Sequence, residues 1–210
     1  MARERQRGLS CRQTLAYRVR TSAQTRHSMS DKLEFRLTLY PEPILRRVAA
    51  PVAKFDDDLA RTVEAMFELM KKSNGVGLAA PQVGLDARVI VLNPTGEPQD
   101  ALALVNVRIT ERSGPESLFE EGCLSFPAIY AEVRRPERCK VLAFAPDGTP
   151  IEREFEGFTS RIIQHEYDHL EGVLLVDRMS PADKLKHKAA LQELVDRYKQ
   201  SQAAPAASRR

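Results

Sequence analysis

One nine-residue run, Gln164-His165-Glu166-Tyr167-Asp168-His169-Leu170-Glu171-Gly172, restricts this 210-residue chain more than any other. If the run is helical, His165 and His169 stand one above the other, because residues four apart share a face of an α-helix. Two imidazoles so placed can grip one metal ion, and Glu166 can reach a water on that ion as its general base. A solvated helix face is the competing reading of any His-x-x-x-His. The flanks argue against it: Ile162 and Ile163 precede the pair and Leu170 follows, so an interior helix is expected, where two unpartnered histidines would be costly. The fold is therefore required to bury a helix against a metal, and the chemistry read from it is hydrolytic.

A catalytic site of this kind needs a third protein ligand and one open position. The chain has three cysteines. Cys11 lies in a polar, Arg-rich stretch. Cys139 sits in the strand-like run Arg138 to Phe144, where a small, inert, half-buried thiol is expected. Cys123 lies in Glu120-Glu121-Gly122-Cys123-Leu124-Ser125-Phe126-Pro127, where a glycine permits close backbone approach and a proline ends the segment. Cys123 is the third ligand this reading selects.

Three segments, Gly75-Val76-Gly77-Leu78-Ala79-Ala80-Pro81-Gln82, Glu121-Gly122-Cys123-Leu124-Ser125 and Gln164 to His169, follow one another in the order and spacing of the peptide deformylase family, which the chain resembles from about Phe35 to Met179. The run from Glu121 to Pro136 is similar to the bacterial and plastid branch. The first 28 or so residues and the last few have no counterpart. The resemblance implies removal of the formyl group from the N-terminal formyl-methionine of newly made polypeptides, with release of formate. It implies Cys123, His165 and His169 as ligands of ferrous iron; one thiolate and two imidazoles hold zinc, nickel or cobalt equally well.

The resemblance also implies roles for other residues. Glu166 takes a proton from the attacking water and passes it to the departing amine. The side-chain amide of Gln82 and the backbone N–H of Leu124 stabilise negative charge on the formyl oxygen, a contribution of typically about 3 kcal/mol for each donor. Val76, Gly77 and Gly122 contact the substrate main chain, a mode of recognition indifferent to sequence. Phe126, Ile129 and Ile162 are expected as walls of an apolar pocket for the methionine side chain, with plain core packing as the alternative. Behind the ligands, Glu121 is expected to orient a histidine and Asp168 to pair with Arg135.

The coarse organisation reads as a leader over residues 1–30, expected to be disordered, a catalytic domain over 31–180, a C-terminal helix over 181–200 and a disordered tail over 201–210. Asp56 to Asp58 offer caps for a helix carrying Leu59, Val63, Met66, Phe67 and Met70. Arg88 to Leu92 and Leu102 to Val107 read as strands, and Asp147-Gly148 as a turn between two more. The metal helix is expected from about Thr159 to Leu170, and a last amphipathic helix after Ser180-Pro181, through Leu191, Leu194, Val195 and Tyr198. The expected class is α+β, with short antiparallel β-sheets wrapped around a central helix that carries two of the three ligands.

At 42% hydrophobic and 29% charged, the composition supports an ordinary core. No apolar run approaches the roughly 18 residues that span a bilayer. A net charge of +3 is too small to argue for a nucleic-acid partner. Three thiols, one of them assigned to metal, point to a reducing compartment. Up to Ser30 the chain has seven arginines against one acid, Glu4, the composition of an organellar transit peptide. Met29 nevertheless stands where a compact bacterial chain begins, so the bacterial cytoplasm is the first reading and an organelle the alternative. Lys184, Lys186, Lys188, Arg197, Lys199, Arg209 and Arg210 make the C-terminal region basic. A solvated helix face diluted by Asp183, Glu193 and Asp196 accounts for that charge, and ribosome docking is the rival explanation. Two rival functions are a zinc endopeptidase with an acid such as Glu193 as third ligand, and a structural metal closed by Cys139 or His187.

Overall fold

A computed structural model of the protein describes residues 33–203. The expected leader and most of the expected tail lie outside them. Helix α1, Asp57–Lys72, starts where Asp56 accepts a hydrogen bond from the Leu59 N–H, the usual satisfaction of an orphan donor in a first turn. One antiparallel sheet follows in the order β1 (Gly77–Ala79), β2 (Val89–Leu92), β3 (Leu102–Cys123), β4 (Phe126–Phe144) and β5 (Pro150–Glu156). Helix α2, Gly157–Leu170, packs under it, and α3 (Leu175–Arg178), α4 (Pro181–Lys186) and α5 (Lys188–Ala203) complete the chain. No helix among the described residues is long and apolar enough to cross a membrane.

The α+β class and the central metal helix are as expected, but the strands form a single sheet and two of them are long. Strands β3 and β4 run 22 and 19 residues and pair almost throughout, ending with Cys123 opposite Phe126 across the two-residue turn Leu124-Ser125. The outer part of β3, Thr110 to Glu120, is polar and mostly exposed and contains Gly114 and Pro115, so it lacks the alternation that marks a half-buried strand. It is held by its partner instead. The turn at Asp147-Gly148 is present, with Gly148 at φ +86.

The pleat divides the core. Ile90, Leu92 and Leu104 point to the face that takes Ile162, Ile163 and Leu170 of α2, whereas Val89, Val91, Ala103 and Val105 point to Val63, Met66 and Met70 of α1. Strand β2 is thus buried on both sides and clamps the two helices together. A third cluster joins Phe126, Ile129, Ala131 and Val133 of β4 to Leu175, Met179 and Leu194 at the C-terminal end. Cys139 is fully buried among apolar residues, more deeply than the half-buried position expected from its polar flanks.

Two sequence boundaries move. Helix α2 begins at Gly157, two residues early, and ends in a Schellman arrangement: the Val173 N–H donates to the Asp168 carbonyl, the Gly172 N–H to that of His169, and Gly172 adopts φ +70. A Cβ on Gly172 would stand 2.6 Å from the Arg46 carbonyl oxygen, so both its conformation and its surroundings require glycine. The single helix expected after Ser180-Pro181 is instead two, broken at His187, whose N–H donates to the Asp183 carbonyl. Ser180 caps the first as expected, and α5 continues to Ala203, past the expected end at 200.

Candidate metal centre

Helix α2 delivers His165, Glu166 and His169 beneath the sheet, and the tip of the β3–β4 hairpin delivers Cys123. Cys123 Sγ lies 3.2 Å from His169 Nε2, and one donor atom from each of Cys123, His165 and His169 falls within 4.8 Å of the others. A tetrahedral ion about 2.3 Å from sulfur and 2.0–2.1 Å from nitrogen sets a sulfur–nitrogen separation of roughly 3.5 Å, close to the distance found. Glu193 is far from this role: it is exposed on α5 and paired with Arg197. Cys139 contacts only the Ser160 carbonyl among the described hydrogen bonds, so it does not close the site.

The residues behind the ligands fix their orientation. Glu121 Oε2 sits 2.9 Å from His165 Nδ1, which leaves Nε2 for a cation. Arg135 grips Glu121 with two hydrogen bonds, at 2.7 and 2.9 Å, and reaches Asp168 at 2.9 Å; Arg178 grips Asp168 from the other side. Both pairings expected from the sequence are present, but each carboxylate also takes a second arginine, Arg161 for Glu121 and Arg178 for Asp168. Burial alone would raise the pKa of Glu121, yet hydrogen bonds from His165 and Arg135 outweigh it and hold the group at about 2.

The two imidazoles prefer opposite protonation states. Burial disfavours a charged His165, but its contacts with Cys123 and Glu121 raise its pKa well above the ordinary value. His169 is pushed well below that value by burial and then by the charges of His165 and Arg135. Two rings competing for one positive charge suit a cation that both coordinate in neutral form. Glu166 is raised to about 7 by burial, partly offset by the charges of His165 and Arg135, and an added cation would lower it again. Its Oε2 is buried without a hydrogen-bond partner among the described residues. The donor set and the unpartnered carboxylate oxygen beside it fit a catalytic metal.

The site opens into a cleft of about 640 Å³. Val76, Gly77, Gln82, Gly122, Cys123, Leu124, Phe126, Ile129, Ile162, His165 and Glu166 all line it, while His169 is 1% exposed beneath it. The residues expected as ligands, catalytic groups and substrate contacts are thus brought to one place. Gln82 is held by its Oε1, which accepts from the Ala79 N–H at 2.8 Å, so its Nε2 points toward Cys123 Sγ at 3.5 Å and Ser125 Oγ at 3.3 Å. Gly77 is required by proximity, since a Cβ there would lie 2.5 Å from Glu166 Oε1. Phe126 and Ile129 are both core and cleft floor. Sequence reasoning missed Phe119, Tyr130, Phe158 and Arg161, which also line the cleft. Three of these are exposed aromatics, and the only signal for Arg161 is its place one helical turn before His165.

Comparison with known proteins agrees with this geometry. Residues 35–185 match the family model described as polypeptide deformylase. A peptide deformylase of Thermotoga sp. (strain RQ2) is 44% identical over 160 residues, covering 76% of this chain and 96% of the relative. Peptide deformylase 1B of Arabidopsis thaliana, chloroplastic/mitochondrial, is 43% identical over 172 residues, covering 81% of this chain and 63% of the relative. The crystal structure of the Plasmodium falciparum peptide deformylase superposes with a TM-score of 0.78 at 39% identity, covering 80% of this chain and all of that one. The chain belongs to the polypeptide deformylase family, metal-dependent hydrolases that remove the N-formyl group from newly made polypeptides.

Proposed function

We propose that Cys123, His165 and His169 hold the metal of this deformylase, that the metal is ferrous iron, and that Glu166 moves the protons of the reaction. One observation carries this reading: the thiol and both imidazoles converge at the end of a peptide-sized cleft where Glu166 Oε2 is buried and unpartnered. When bound, the ion supplies Lewis acidity to a water and to the formyl oxygen. Glu166 accepts a proton from the attacking water. Gln82 Nε2 and the Leu124 N–H donate to the formyl oxygen as it gains negative charge. Glu166 then protonates the amine as the carbon–nitrogen bond breaks, so formate and a free N-terminus leave. The Val76–Gly77 edge and Gly122 bind the peptide main chain, and Phe126, Ile129 and Ile162 receive the methionine side chain. The test is formate release from formyl-Met-Ala, run anaerobically with ferrous iron. Glu166→Ala is expected to lose turnover but keep metal, and Cys123→Ala to lose most of both. An endopeptidase with Glu193 as ligand would keep its metal after Cys123→Ala.

Place and partner have tests of their own. Its bacterial relatives favour the bacterial cytoplasm and its chloroplastic or mitochondrial plant relatives an organelle; N-terminal sequencing of the native protein separates these. Lys184, Lys186 and Lys188 are exposed on α4 and α5, where a ribosome would be met. Leu194 of α5 belongs to the core, so reversal of those three charges, rather than truncation, is the appropriate test. Unchanged co-sedimentation with ribosomes at low salt would leave them as a solvated face.

A further inference from the structure

Arg161 is only 8% exposed, and neither metal coordination nor proton transfer accounts for it. Its guanidinium meets three parts of the molecule at once. Nη1 donates to Glu121 Oε1 at 2.8 Å and to the Val133 carbonyl of β4 at 3.0 Å. Nη2 donates to the carbonyl and hydroxyl of Ser117 on β3, at 3.0 and 2.8 Å. Its Cζ stands 5.3 Å from the ring centre of Phe119, which is 6.2 Å from that of Phe158, and both rings line the cleft. One side chain therefore touches the carboxylate that orients His165, both strands of the hairpin that ends in Cys123, and the aromatic wall where substrate lies.

The geometry points to Arg161 as a positioning residue that holds the His165 ligand and the aromatic cleft wall in a fixed relation. Arg135 already grips Glu121, but it ties that carboxylate to Asp168 within α2. Arg161 reaches the same carboxylate from α2 and joins to it Val133 of β4 and Ser117 of β3. Without it, Glu121 Oε1 keeps one donor, the buried carbonyl of Val133 and both oxygens of Ser117 lose the partner described here, and Phe119 loses the plane it packs on. Lysine cannot replace it, because a single ammonium lacks the fork that spans acceptors on two strands.

This inference rests on the ligand set proposed above, and the experiment separates the two. Wild type, Arg161→Lys, Arg161→Met, Ser117→Ala and Cys123→Ala are compared by competition for Co2+ against a chelator, by the visible spectrum of the cobalt form, and by KM and kcat on formyl-Met-Ala. Both Arg161 variants are expected to bind Co2+ about tenfold more weakly, as disturbed outer partners of a ligand usually do, with a shifted cobalt spectrum and a KM raised more than kcat is lowered. Ser117→Ala, which removes one acceptor and no charge, should move the same quantities less and in the same direction; it decides the matter if the Arg161 variants do not fold. Wild-type cobalt affinity, spectrum and KM in folded variants, with only a lower melting temperature, would make Arg161 a purely structural residue and overturn the inference. If Cys123→Ala retains wild-type cobalt affinity, it is the ligand set that fails.

Discussion

Helices α2 and α5 have similar lengths, 14 and 16 residues, and treat their charges in opposite ways. Helix α2 buries Arg161, Gln164, Glu166, Asp168 and His169, whereas α5 buries only Leu194 and leaves Glu193 and Arg197 paired at 2.5 Å in solvent. Removing one partner of a buried ion pair costs about 3–5 kcal/mol, while an exposed pair contributes about 0–1 kcal/mol. A helix that buries so many polar side chains, and leaves Glu166 Oε2 and His169 Nδ1 without hydrogen-bond partners among the described residues, is shaped by something other than stability. Charge on α5 is a matter of solubility or docking; charge on α2 is chemistry.

The contrast is broken most severely at Glu166. Glu166→Ala is expected to reduce turnover of formyl-Met-Ala by about 10²–10⁴-fold with unchanged metal content, measured by formate release beside elemental analysis. Arg135→Met comes next, because it takes one of two arginines from Glu121 and from Asp168 at once: urea unfolding is expected to show a loss of about 3–5 kcal/mol. Gly77→Ala follows. Its Cβ would fall 2.5 Å from Glu166 Oε1 and 2.7 Å from Ile162 Cγ2, so the carboxylate or the isoleucine must move, and a shift of that size in a reacting group costs about 100-fold in kcat/KM. On α5, Arg197→Ala should change stability by less than about 1 kcal/mol and activity not at all; a larger effect would erase the distinction between the helices.

The smallest effect is expected at Asp177. Burial raises its pKa, but the hydrogen bonds from Arg46 and the Leu174 N–H outweigh it and hold the carboxyl below its ordinary value. A depressed folded value means the unfolded chain binds the proton first. The contribution is therefore present above about pH 3.9, the unfolded value, and lost as pH falls through the lower folded one. Asp177→Asn should lower the urea midpoint slightly at pH 7 and converge with wild type in strong acid. Because both partners are well exposed, the difference should be small.

The parts of the molecule legible in the sequence are those where one period dominates. The alternation of Val89 to Leu92 is masked by burial on both faces, yet its unbroken apolar run still reads as a strand. The i, i+4 histidines with isoleucines beside them define α2, and the three motifs supply every ligand and main-chain contact proposed. What stayed hidden depends on contacts distant in the chain. The outer half of β3 is polar and is a strand only because β4 pairs with it. Arg161 reads as a solvated helix charge until Ser117, Glu121 and Val133 are brought around it. The break at His187 carries no glycine or proline to announce it.

X-ray absorption on the cobalt- or iron-loaded protein tests the central claim most directly. One sulfur and two imidazole nitrogens are expected in the coordination sphere of wild type, with the sulfur missing from any residual metal in Cys123→Ala. A first sphere of nitrogen and oxygen alone in the wild-type protein, unchanged by that substitution, would contradict it.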